Sequence, residues 1–132
     1  MNANELMIGN WVLFPFHNEI VKVHGVGRRA DDESKINVQI FTKGGFLMTN
    51  VESIQEIPLS PEILDKCGFV KRPVDWYIPF NDIEVCWHIV QGVSVGFDSD
   101  INTIYQYFKH IKYLHQLQNL MQSLGHPLNI EL

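Results

Sequence analysis

Between Trp11 and Ile57 the chain holds five short runs of strand composition, separated by turns, with no helical periodicity among them. Gly9-Asn10 turns into Trp11-Val12-Leu13-Phe14, and residues 19–26 alternate in the period-two sense of a half-buried strand. Ile36-Asn37-Val38-Gln39-Ile40-Phe41 alternates again, Lys43-Gly44-Gly45 reads as a hairpin turn into Phe46-Leu47-Met48, and Ser53-Ile54-Gln55-Glu56-Ile57 offers a fifth strand. Five short strands in so little chain leave few ways to hide sheet edges. They predict a small SH3-like β-barrel over residues 1–57, with Gly27–Ser34 as a charged loop.

Residues 58–132 predict an α+β half. Ser60 suits an N-cap, Pro61 the first helical position, Glu62 the positive end of the helix dipole and Gly68 the stop. Within that short helix Ile63, Leu64 and Cys67 share a face, so Cys67 reads as core. Strand character returns at 76–80, at 83–90 and, past a Gln91-Gly92 turn, at 93–97. Alternation sets Ile83, Val85, Trp87 and Ile89 against Glu84, Cys86, His88 and Val90. Residues 101–110 fit either a helical stripe or a strand, and their composition favours a strand to about residue 108. From Ile111 to Leu124 an apolar repeat of three to four residues, ended by Gly125, predicts a helix. The expected fold is α+β: barrel, short helix, β-meander and a C-terminal helix packed on the sheet, the two parts sharing one compact unit.

With 132 residues, 45% hydrophobic and 19% charged, the chain can build its own core without disulfides or metal. Its net charge of −5 is spread evenly along the sequence and disfavours nonspecific binding to phosphate. Lys22, Arg28, Arg29 and Lys43 could still form a small basic patch on the barrel, where Trp11, Phe14 or Phe46 would stack bases, although Asp31, Asp32 and Glu33 would cancel much of its field. No apolar run approaches the ~20 residues of a membrane span and the start lacks a signal-peptide pattern, so a cytoplasmic protein with no membrane partner is expected. Cys67 and Cys86 then read as reduced, packed thiols.

Chemical motifs are sparse. Cys86 and His88 share a strand face and could ligate zinc if Cys67, His24 or His115 converged on them, but paired ligand spacing is missing and no metal or cofactor is expected. Neither cysteine lies in a nucleophile motif, and no catalytic residue is expected. Asp98-Ser99-Asp100 reads as a polar turn before it reads as an acid–base pair. Gly25-Val26-Gly27-Arg28-Arg29 lacks the Lys-Ser/Thr and the following helix of a phosphate loop.

The last helix carries a polar stripe of His115, Gln118, Asn119 and Gln122 beside its apolar one. Uncharged hydrogen-bonding side chains suit fixed partners, so the stripe is either a seam within the fold or a surface that recognises another protein or a second copy. Three segments resemble those of small uncharacterised proteins from the Bacteroides lineage and its phages or mobile elements: Glu5-Leu6-Met7-Ile8-Gly9-Asn10-Trp11-Val12, the junction Ile57–Phe69, and Ile111–Leu120 with its Tyr113-Leu114-His115-Gln116-Leu117-Gln118-Asn119-Leu120 core. Met121–His126 stands where that group usually has a longer aromatic-rich stretch and a Thr-Gly turn. The resemblance implies a phage or mobile-element setting and carries no activity, ligand or catalytic residue. The function expected from all this is a non-catalytic protein-interaction or accessory module. The alternatives are nucleic-acid binding through the barrel and a small metal-binding protein or hydrolase.

Overall fold

A computed structural model describes residues 1, 3–32, 35–98, 103–130 and 132, with backbone alone at Ala3 and Asp98. Its fold is α+β, built on two antiparallel sheets. The chain divides into two units, Met1–Pro58 with Tyr113–Leu128, and Leu59–Lys112 with Asn129–Leu132. The final helix therefore belongs with the first sheet, a division that differs from a cut at residue 57.

In the first unit β1 (Trp11–Phe14), β2 (Glu19–Arg28), β3 (Ile36–Thr42) and β4 (Gly45–Asn50) pair in sequence order. Alternation sends Val12, Phe14, Val21, Val23, Val38 and Ile40 inward, where they join Leu6, Val51 and Ile54 in one core. The fifth strand expected at 53–57 does not form. Val51–Ser53 winds into a 3₁₀ turn, and only Gln55 bridges back to β1, exchanging two backbone hydrogen bonds with Leu13 at 2.9 and 2.8 Å. Pro58 follows and has no N–H with which to extend a ladder. Among the described residues no ladder joins β4 to β1, so the sheet is not a closed barrel. β2 also runs further than expected, to Arg28, because the Arg28–Ile36 pair extends it into the segment read as loop.

The helix α2 (Leu114–Ser123) begins three residues later than its apolar repeat suggests. Tyr113 is spent on an antiparallel bridge to Pro58, and the Leu114 N–H bonds the Ile57 carbonyl at 2.8 Å, so the backbone there is extended. The Gln116 side chain then accepts the Tyr113 N–H at 3.1 Å and caps the first turn. α2 buries Leu114, His115, Leu117 and Met121.

The second unit starts with α1 (Pro61–Lys66), capped as its sequence demands: Ser60 Oγ accepts the Ile63 N–H at 3.3 Å, and Gly68 takes the left-handed φ of 89° that ends the helix. A meander follows through β5 (Val70–Lys71), β6 (Trp76–Pro79), β7 (Ile83–His88), β8 (Gly92–Asp98) and β9 (Thr103–Phe108), each strand paired with the next. Residues 103–108 are strand, as their composition indicates. The pairs Val85–Val95 and Trp87–Val93 bury one face of this sheet.

Candidate functional site

Half of the polar stripe of α2, Gln118 and Asn119, is hydrogen-bonded within its own unit. Gln118 Oε1 accepts the Trp11 N–H at 2.9 Å while its Nε2 donates to the Gly9 carbonyl at 3.2 Å. Asn119 donates to the Glu5 carbonyl at 2.5 Å and accepts from Asn10 Nδ2 at 2.9 Å, and Asn10 Oδ1 in turn accepts the Met7 N–H at 2.7 Å. These bonds tie α2 to the irregular segment that leads into β1. Gln122, one turn further on, is exposed.

His115 behaves differently. Its ring is 1% exposed, and neither nitrogen has a hydrogen bond among the described residues. Nε2 lies 3.4 Å from Glu5 Oε2, close enough for attraction but not aligned to bond, and Tyr113 stacks on the ring at 6.2 Å. Burial pushes its pKa down, with Glu5 and Glu56 pulling the other way and the Met1 ammonium adding to the depression. The folded state therefore holds this proton less well than the unfolded chain. That leaves its contribution intact above about pH 6.5 and lost as pH falls towards the depressed value. His115→Met is expected to leave stability at pH 7 unchanged or raised by about 1 kcal/mol, since it removes an unpaired buried polar group. It should also flatten the acid-side decline, which urea titrations across pH 5–7 would measure.

The expected basic patch is not assembled. Between Val23 and Gly25 the register shifts, His24 being the extra residue of a β-bulge. Lys22 lies opposite Phe41 on the outer face, whereas Arg28 lies opposite Ile36, in step with the inward Val38, about 20 Å away at ~3.3 Å per residue. Arg29 is held by Asp31 through a paired contact at 2.9 and 2.5 Å. Lys43 occupies the β3–β4 turn, where its N–H donates to Glu19 at 2.8 Å.

What the outer face of the first sheet does assemble is a row across all four strands. Trp11 pairs with Lys22, Lys22 with Phe41 and Phe41 with Phe46. The Lys22 ammonium sits 5.7 Å over the Trp11 ring, and His24, outward by the same alternation as Lys22, packs on Phe41 at 5.8 Å and on Phe46 at 5.3 Å. Phe41 and Phe46 meet edge to face at 5.1 Å and remain 51% and 62% exposed, beside Met48 at 60%. Among the described residues register and alternation place no carboxylate on this face, and its fixed charge is Lys22. From sequence His24 reads as a candidate metal ligand and Phe41 as a strand residue rather than a surface anchor, although alternation already puts Phe41 with Asn37 and Gln39 on the polar side. Of the other rings in this unit, the candidate Phe14 is core and Phe16 is exposed beside it at 5.5 Å.

In the second unit Arg72 organises a polar cluster on the face opposite Trp87. It bonds Asp75 at 2.7 and 2.8 Å, stacks on Tyr77 at 4.0 Å and reaches Glu84 at 3.7 Å and Cys86 Sγ at 3.4 Å. Burial raises the Cys86 thiol to about 11, with Glu84 adding to it, and burial alone raises Cys67 to about 12. Neither is a ready nucleophile. At pH 7.5 a maleimide is expected to label both thiols only after unfolding, as read by intact mass; fast labelling of the folded chain would contradict this. His88 Nδ1 is occupied as an acceptor for the Val90 and Gln91 N–H groups at 3.0 and 3.2 Å. Among the described residues, no three His, Cys, Asp or Glu side chains converge to hold a metal ion. Ser99 and Asp100 of the polar turn lie outside the described residues.

Among the described residues no helix is long and apolar enough to cross a membrane. No family model, no curated protein and no solved structure matches the chain.

Proposed function

We propose that the first unit is an SH3-like barrel left open between β4 and β1, serving as a non-catalytic protein-interaction module, a cytoplasmic accessory protein of a phage or mobile element that docks its partner on the outer face of β1–β4. The row Trp11–Lys22–Phe41–Phe46, with His24 beside it, carries this reading. Aromatic rings interlocked with one another and left open to water are rigid anchors of the kind that dominate interfaces, and such an apolar patch is uncommon on a surface without a partner. Support for the barrel comes from the path of the chain: four strands in order, a 3₁₀ turn, and a return of Gln55 to the free side of β1. The phage or mobile-element setting rests on the three sequence segments alone.

The absence of carboxylates from the face, on a chain of net charge −5, suits a partner segment that is apolar and bears an acidic residue. Selection of displayed random peptides on the folded protein is expected to enrich such sequences, and Phe41→Ser/Phe46→Ser should abolish the enrichment while Arg28→Ala leaves it. An unchanged selection with the double variant would refute the assignment. Nucleic acid is the second reading, favoured by the same rings, which could stack bases beside Lys22. With so few cations on the face, oligonucleotide binding should be weak. Tight binding that falls steeply with salt would replace the protein reading.

A further inference from the structure

The second unit contains a groove of about 850 Å3 whose lining carries charge of one sign. Trp87 and Ile111, both buried, belong to the lining, and so do Ile89 and Val90 of the β7–β8 turn. Among the described residues the only charged ones in the lining are Lys109 and Lys112, although the chain has 15 acidic groups against 10 basic ones.

The turn is the unusual part. Turns ordinarily carry Gly, Asn, Asp or Ser, yet here Ile89 and Val90 are 71% and 83% exposed. They are not loose: His88 Nδ1 clamps the Val90 and Gln91 N–H groups, and Gly92 closes the hairpin at φ 78°. A pre-formed apolar wall thus stands in water beside a cationic rim. The volume lies within the ~300–1,000 Å3 typical of small-ligand sites. We infer that this groove binds a small amphipathic carboxylate of the medium-chain fatty-acid class, its chain against Trp87, Ile89, Val90 and Ile111 and its carboxylate at Lys109. Apolar burial supplies the affinity, and the lysine selects the sign of the head group.

This site is lined by residues of the second unit alone, and its test does not depend on the outer face of the first sheet. Decanoate, kept below its micelle concentration, is titrated into the full chain by calorimetry, with decyltrimethylammonium as the opposite-charge probe. Saturable one-to-one binding of decanoate is expected, with the cation bound ~10-fold more weakly, the size of one favourable charge contact. Val90→Glu, at a solvated position that the fold does not need, should abolish decanoate binding. Lys109→Glu should weaken decanoate by ~10-fold or more and reverse the preference between the two probes. Equal binding of both amphiphiles, no saturable binding, or decanoate binding undiminished by Val90→Glu would each overturn the assignment.

Discussion

Replacing Asn119 with leucine is expected to destabilise the protein by about 2–4 kcal/mol, read as a lowered denaturation midpoint with an unchanged slope. Leucine removes an amide that serves two partners at once, the Glu5 carbonyl and the Asn10 side chain. Asn10 is buried and its own oxygen is committed to the Met7 N–H, so its amide group has nowhere else to turn. Leaving such groups unpaired costs more than the bond itself contributes, and against a typical total of ~5–15 kcal/mol the loss is large. Gln122→Ala, on the same stripe but exposed, should change stability by less than about 0.5 kcal/mol. If both variants proved equally mild, α2 would not be fastened to the Glu5–Trp11 segment in the way its hydrogen bonds indicate.

Gly96→Ala is expected to cost about 1–3 kcal/mol through overpacking. A methyl group on Gly96 would lie 2.8 Å from Tyr105 Cε1, 3.1 Å from Glu84 Cγ and 3.2 Å from Thr103 Cγ2. Tyr105 is cross-strand from Gly96, and its hydroxyl donates to Glu84 Oε1 at 2.7 Å. That bond raises the Tyr105 pKa to about 12, so the folded state keeps the proton longer than the unfolded chain does. The associated stability is present below about pH 10 and is lost as pH rises towards 12. In Gly96→Ala the ring must shift, and a tyrosine-selective NMR titration should find its pKa back near the ordinary value of about 10. A substituted protein with full stability and an unmoved Tyr105 titration would show that the ring does not need the glycine.

Local pattern predicted most of the strands and both helices, because alternation, capping residues and turn glycines act within a few positions of one another. Ser60, Pro61 and Gly68 delimit α1 by chemistry visible in the sequence. Register is another matter. A single extra residue at His24 turns Arg28 away from the face of Lys22 and dissolves the basic patch that their side-by-side listing in sequence suggests. The start of α2 was hidden because Ile111 fits the apolar repeat while the nearby backbone is drawn into an extended bridge by Pro58. The partners of Gln118 and Asn119 are more than a hundred residues away, and no periodicity announces such pairings. The aromatic row was half visible: the rings could be counted, but only strand order and register align Trp11, Lys22, Phe41 and Phe46.

For the proposed docking role the hydrogen bonding of Gln118 and Asn119 within their own unit favours the sheet face over α2. Amide chemical-shift mapping on the full chain, with a peptide selected by the folded protein, separates them in one titration. The account predicts perturbations centred on Trp11, Lys22, His24, Phe41, Phe46 and Met48, and little change from His115 to Gln122. Perturbations centred on α2 with the sheet face silent would contradict it.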